Sequence, residues 1–270
     1  MRLLTGAGLI EPTADSSVGY RWCGGDRILV CTGDMIDKGS QSIQVLDVMM
    51  DLQTQAPTSG GEVVVTVGNH EAEFLADPEN RKAVALRREL TRNGIDRYEL
   101  KGTDRDYGNW LRNLPFAARI NDWFFSHSGN TSGKTRAELS DTIRTAIDQG
   151  DWGSPVLIGD QSLLSSRRWW SDGLPGVVNE YLRALGVNHI VFGHTPDAFA
   201  NRGEIGHEED GKIFLIDVGM SPAKNYSSGA VLVIGAEGNE VTAISLSADG
   251  AAKEVWRGPA PNVCSWGERG

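Results

Sequence analysis

Cysteine is scarce in this chain, with three in 270 residues, at Cys23, Cys31 and Cys264. An odd number without metal-type spacing excludes a disulfide framework or a thiolate cluster as the organising device. Cys31 stands inside an apolar run and reads as a small buried hydrophobe. A reducing compartment is therefore the expectation. Long hydrophobic runs are missing as well: nothing approaches the roughly 18 apolar residues of a membrane span. The opening, Met1 to Ile10, has neither the apolar core nor the cleavage site of a signal peptide. Cytoplasm is the default, and an upstream segment lost from the chain would take any export signal with it. Basic residues are in deficit too, 26 Lys and Arg against 36 Asp and Glu, a net charge of −10. That balance argues against general binding to nucleic acid or to an anionic membrane, both of which favour basic patches. Internal repeats and low-complexity tracts are also absent.

What remains is an ordinary globular composition, 40% hydrophobic and 23% charged. Its length suits one large α/β domain. We read residues 1–250 as that domain, with 72–115 and 150–176 as cap or loop insertions and 251–270 as a loose tail. The spacing of Ile43, Leu46, Val48, Met49 and Leu52 predicts a helix over 42–54 with one buried face. Leu139, Ile143 and Ile147 predict another over 135–149, and Val177 to Leu185 reads as a helix closed by Gly186. Residues 9–25 read as a loop. Strands are predicted at 26–31, 62–67, 116–120, 123–126, 189–192, 212–217, 230–234 and 240–246, a β-rich second half that implies two packed sheets.

Four apolar strands end in the same way. Ile28 to Cys31 runs into Gly33-Asp34, Val63 to Val67 into Gly68-Asn69-His70-Glu71, Trp123 to Phe125 into Ser126-His127, and His189 to Phe192 into Gly193-His194. Each delivers a metal-ligand type of side chain at a strand's carboxyl end, where open α/β sheets place their chemistry. Asp34, Asn69, His127 and His194 offer a carboxylate, an amide oxygen and two imidazoles. This mixture suits a borderline divalent ion, Mn²⁺, Fe²⁺ or Zn²⁺, better than Ca²⁺. His70 adjoins Asn69 and would point elsewhere, which makes it a candidate general acid, with Glu71 or another acid orienting it. Lys38 follows Asp34 on the same face and is a candidate phosphate contact. Arg167 and Arg168, before Trp169-Trp170, are candidates for a guanidinium clamp.

Gly33-Asp34-Met35-Ile36-Asp37-Lys38-Gly39, Gly68-Asn69-His70-Glu71, Ser126-His127-Ser128-Gly129 and Gly193-His194-Thr195 resemble the ordered signature blocks of calcineurin-like metallophosphoesterases. The likeness is closest to the branch of phosphoprotein phosphatases and diadenosine tetraphosphatase-like enzymes. It implies an α/β fold, a four-layer β-sandwich flanked by helices. It also implies divalent metal ions, two in the full-length family site. Asp34 would bridge them, and Asn69, His127 and His194 would complete the second metal's shell. His70, with Asp37 or Glu71 behind it, would serve the leaving group. The implied activity is hydrolysis of phosphomonoesters (phosphoprotein or small phosphate esters) or of nucleotide phosphoanhydrides by a metal-activated water.

Two departures stand against this resemblance. The family's second block has Arg where this chain has Lys38, which turns a bidentate grip into a point charge. The family's earlier Asp-x-His block occurs nowhere in the 270 residues. Its absence implies that the first strand of the sheet is missing, through a misplaced start or a real loss. The alternative reading is a catalytically impaired fragment or relic that acts at most as a phospho-ligand or partner-binding module.

Overall fold

The computed structural model describes residues 1–101, 106–171, 176–199, 202–237 and 240–260. In chain order it forms helix α1 (Arg2–Gly6), strands β1 (Ile10–Pro12), β2 (Tyr20–Trp22) and β3 (Ile28–Cys31), helix α2 (Ser42–Gln55), β4 (Glu62–Val65) and α3 (Asn69–Ala76). Helices α4 (Val84–Arg92), α5 (Arg97–Lys101) and α6 (Asp106–Arg112) follow. Then come β5 (Ala117–Ile120), β6 (Trp123–Ser126), α7 (Arg136–Asp148), α8 (Val177–Leu185), β7 (His189–Phe192), β8 (Gly206–Glu208) and β9 (Ile213–Leu215). The chain closes with β10 (Ala230–Glu237), β11 (Glu240–Ser247) and β12 (Ala252–Pro259). No helix among the described residues is long and apolar enough to cross a membrane.

Strands β5-β6-β7-β9-β8 form one sheet, with β6, β7 and β9 parallel. β3 and β4 form a separate parallel pair, linked toward the first sheet where the Val67 amide donates to the Pro115 carbonyl. The period-2 alternation of strand side chains divides the core. Phe124, Ile190, Phe192, Ile213 and Leu215 face the helical layer and join one core with Leu46, Leu52, Leu139 and Leu182. Trp123, Phe125, Val191 and Phe214 point the other way, onto Val241 and Ala243 of the antiparallel β10-β11-β12 sheet. Sheet therefore packs on sheet, with helices outside. Val30 and Val64 pack on that second cluster, so β3 and β4 keep the same layering.

Two segments differ from the sequence reading. Residues 10–22, expected as loop, contain the hairpin β1–β2, whose Ile10 and Trp22 are buried. Residues 252–259, within the expected tail, form β12 against β11, where Trp256 reaches Trp123 and Phe214. Residues 261–270 lie outside the described residues, and Cys264 with them. The stretch 150–171 is irregular, as expected of a loop region, but not superficial. Its Trp152, Leu157, Leu163, Leu164 and Trp169 are core residues, and hydrogen bonds from Ser128 and Asn130 pin its backbone.

Candidate metal centre

Two of the four strand ends turn through left-handed backbone. Gly33 has φ of 86°, Asp34 57° and His194 67°. Such conformations are uncommon outside glycine, and Asp and His tolerate them better than bulky residues do. At Gly33 the requirement is steric as well, since a Cβ there would meet the Gly68 amide nitrogen at 2.4 Å. A Cβ on Gly68 would in turn lie 2.5 Å from the Asp34 carboxylate. The two glycines let the β3 and β4 loops touch backbone to backbone, which brings Asp34 beside Asn69.

Glu71 locks that contact. Fully buried, its carboxylate accepts the amides of Gly68 (2.8 Å), Asp34 (2.9 Å) and Met35 (2.7 Å). It closes the amino end of α3 from within, as an acidic residue in a first helical turn commonly does. Burial and the charge of Asp34 push the Glu71 carboxyl up, while His127 and the amides pull it back. The sequence reading offered Glu71 or Asp37 as the acid that orients His70. The structure gives that position to Asp37, whose Oδ2 lies 2.8 Å from His70 Nδ1, and makes Glu71 a backbone staple.

Four acceptor atoms meet at this point. His127 Nε2 is 3.0 Å from Asn69 Oδ1, 3.2 Å from His194 Nδ1 and 3.3 Å from Asp34 Oδ1. The outer ring nitrogens of both histidines face backbone carbonyls, His127 Nδ1 the Thr32 oxygen at 2.8 Å and His194 Nε2 the Ser165 oxygen at 3.0 Å. These partners place each ring's hydrogen on the outer nitrogen and leave a lone pair on the inner one. The Asn69 amide is oriented by the same logic, because its Nδ2 donates to Glu73 Oε1 at 3.0 Å and Oδ1 must face inward. With both rings neutral, two imidazole lone pairs, an amide oxygen and a carboxylate oxygen converge here with no hydrogen between them. A cation satisfies such a set, and carbonyl partners behind ligating histidines are the usual support. Asp34, His127 and His194 have ligand atoms all within 4.8 Å of one another.

Burial alone would raise Asp34, but His127, His70 and Lys38 outweigh it and hold its carboxyl well below the usual range. Burial first, then the facing His127, push His194 down to about 3, so its ring stays neutral. Burial lowers His70, but the Asp37 bond and the charge of Asp34 overcome it and hold the ring above its ordinary value.

The remaining predicted residues divide. Lys38 reaches the site, its Nζ 3.0 Å from Asp34 Oδ2. Arg167 is exposed, and its charge is felt by His194. Arg168 is exposed and left-handed, its carbonyl closing a turn with Ser171. The tryptophans after them are anchors: Trp169 donates to the Ser128 carbonyl and stacks on Tyr181, and Trp170 packs on Phe192 and Phe199. The sequence reading missed Asp217, two residues past β9, where burial raises its carboxyl against the Gly219 amide and Lys38, Asp34 and His127 are also felt. It obeys the same strand-end rule as the other four and was within reach of it.

A family model for calcineurin-like phosphoesterases matches residues 22–198, which is more than half of the 270 residues. The chain belongs to this family. Among curated proteins it is similar to "Shewanella-like protein phosphatase 1" of Plasmodium berghei, 24% identical over 83% of this chain and 66% of that one. It is also similar to "Shewanella-like protein phosphatase 2" of Arabidopsis thaliana, 29% identical over 40% of this chain and 24% of that one. The chain thus spans slightly under two thirds of the length of the first of these. A solved structure, the cold-active protein-tyrosine phosphatase of a psychrophilic Shewanella species, shares the fold, with a TM-score of 0.74. It is 24% identical, and the match covers 94% of this chain and 75% of that one.

Proposed function

We propose that this calcineurin-like phosphoesterase is a metal-dependent hydrolase of phosphomonoesters on proteins. The observation that carries the reading is the convergence of Asp34, Asn69, His127 and His194 with their lone pairs inward. The names of its relatives favour protein over nucleotide substrates. Asp34, Asn69, His127 and His194 would hold a divalent cation. When bound, such an ion supplies Lewis acidity, which makes water a nucleophile near neutral pH and offsets phosphate charge.

The chain's own side chains do the rest. Asp37 holds His70 by Nδ1 and leaves Nε2 on the side of Asp34, 3.9 Å from its Oδ2. A protonated His70 in this position gives its Nε2 proton to the departing alkoxide or phenoxide. Lys38 and Arg167 bring positive charge to the mouth, Lys38 as a point charge rather than a fork. We read 72–115 and 150–176 as the segments of a single domain that shape access to the site, the second of them through Ser165, which orients His194.

p-Nitrophenyl phosphate with added Mn²⁺ tests this function. Turnover should fall at least 100-fold in the Asn69→Ala, His127→Ala double variant, since loss of ligands removes both ion and geometry. Equal turnover in parent and variant would overturn the proposal.

A further inference from the structure

A second feature lies on α4, away from the four ligands. Val84, Arg87, Arg88, Thr91, Arg92 and Arg97 line an open hollow of about 720 Å³. Four guanidinium groups share one concavity in a chain whose net charge is −10. Glu79 accounts for two of them, paired with Arg97 and 3.7 Å from Arg87. Among the described residues no carboxylate lies within ion-pair distance of Arg88 or Arg92. These two sit four residues apart on one helix, where like charges repel and destabilise it. Among the described residues, Arg92 Nε bonds the Arg88 carbonyl oxygen.

Arg92 also lines an adjoining hollow of about 310 Å³, together with Ser40, Gln41 and Gln44. Ser40 is two residues past Lys38, which touches Asp34. The two acids of this second hollow are already engaged. Glu89 accepts the amides of Ser42 and Ile43 at 2.8 and 2.9 Å, closing the amino end of α2, and Asp47 accepts the Tyr107 hydroxyl. Those bonds leave both acids charged, but the four arginines still exceed Glu79, Glu89 and Asp47 by one, and Arg88 and Arg92 are the cations without an acid partner among the described residues.

We propose that this trough binds an acidic peptide segment, the Asp- and Glu-bearing residues that flank the phosphorylated residue of a protein substrate. The inference rests on the phosphoprotein reading above and adds a sequence preference to it. Guanidinium groups pair carboxylates in a fork and suit this occupant. The acidic remainder of the surface repels an extended polyanion, which disfavours nucleic acid.

Fluorescence anisotropy with two labelled phosphopeptides, identical except for Asp/Glu or Ser/Ala flanks, tests the proposal on the parent and on Arg88→Gln, Arg92→Gln. Both arginines are exposed, so the variant should fold, and circular dichroism checks that it does. The acidic peptide should bind the parent about tenfold tighter than the neutral one, as summed exposed charge pairs allow. The variant should lose that advantage, the parent should lose it at high salt, and hydrolysis of p-nitrophenyl phosphate should stay unchanged. Equal binding of the two peptides by the parent, or an undiminished preference in the variant, overturns the proposal. A parent that prefers the acidic peptide yet never hydrolyses p-nitrophenyl phosphate would sink the phosphatase reading and leave the trough standing.

Discussion

Glu71 shows what single residues contribute that ligand-type reasoning does not see. An acid beside a candidate His invites a catalytic role, yet its three bonds all go to backbone amides of two loops. Which acid serves His70 depends on where a helix of α3's pitch points residues 70 and 71, and that pitch was not legible from the motif alone. The candidate ligands were legible, because a strand that ends in Gly or Ser before a donor side chain is a local pattern. Replacing Glu71 with Ala leaves three donors without an acceptor in a buried place. We expect a loss of about 3 kcal/mol or more, since each unsatisfied buried donor costs roughly 1–3 kcal/mol. Urea unfolding of the variant measures it. A change below about 1 kcal/mol would mean that water reaches these amides and the staple is dispensable.

Among the elements, strands and long helices were readable and pairing partners were not. α2 lies at 42–55 against an expected 42–54, because one face of apolar side chains marks a helix however it is packed. β1, β2 and β8 have three residues each, too few to show a period, and take their form from their partners. Residues 150–171 lack periodicity and read as a loop region, which they form, but Trp152, Leu157, Leu163, Leu164 and Trp169 are buried one by one, which no local pattern encodes. β7 carries a testable electrostatic feature. His189 stacks on Trp123 at 4.0 Å, gives its Nδ1 proton to the Gly211 carbonyl, and has Asp122 3.8 Å from Nε2. Burial is the largest effect and lowers its pKa below 6.5 despite Gly211 and Asp122. The unfolded chain then takes up the proton more readily than the folded one. His189 thus contributes stability that is complete above pH 6.5 and is lost as pH falls from there toward the folded value. Unfolding curves at pH 5, 6 and 7.5 should show a shallower loss in His189→Asn than in the parent. An equal loss in both would assign the acid sensitivity to other groups.

At the scale of the whole molecule, sheet-on-sheet packing sets where the chemistry stands. Trp123, Phe125, Val191 and Phe214 bind the β10-β11-β12 sheet behind the parallel strands. The opposite faces of those strands carry the helices, so loops at the carboxyl ends of β3, β4, β6 and β7 gather at one rim. The sequence implied this sandwich through its β-rich second half, but the depth of the site came from contacts that no local pattern encodes, such as Gly33 against Gly68. The family match and the shared fold of the Shewanella phosphatase agree with that arrangement. Titration of Mn²⁺ into metal-stripped protein by calorimetry tests the metal centre most directly, with the His127→Ala, His194→Ala variant beside it. A saturable binding event in the parent, accompanied by a rise in Tm and lost in the folded variant, is the expected result. Undiminished Mn²⁺ affinity in the variant, or no binding by the folded parent, would show that the four converging acceptors are not a metal centre.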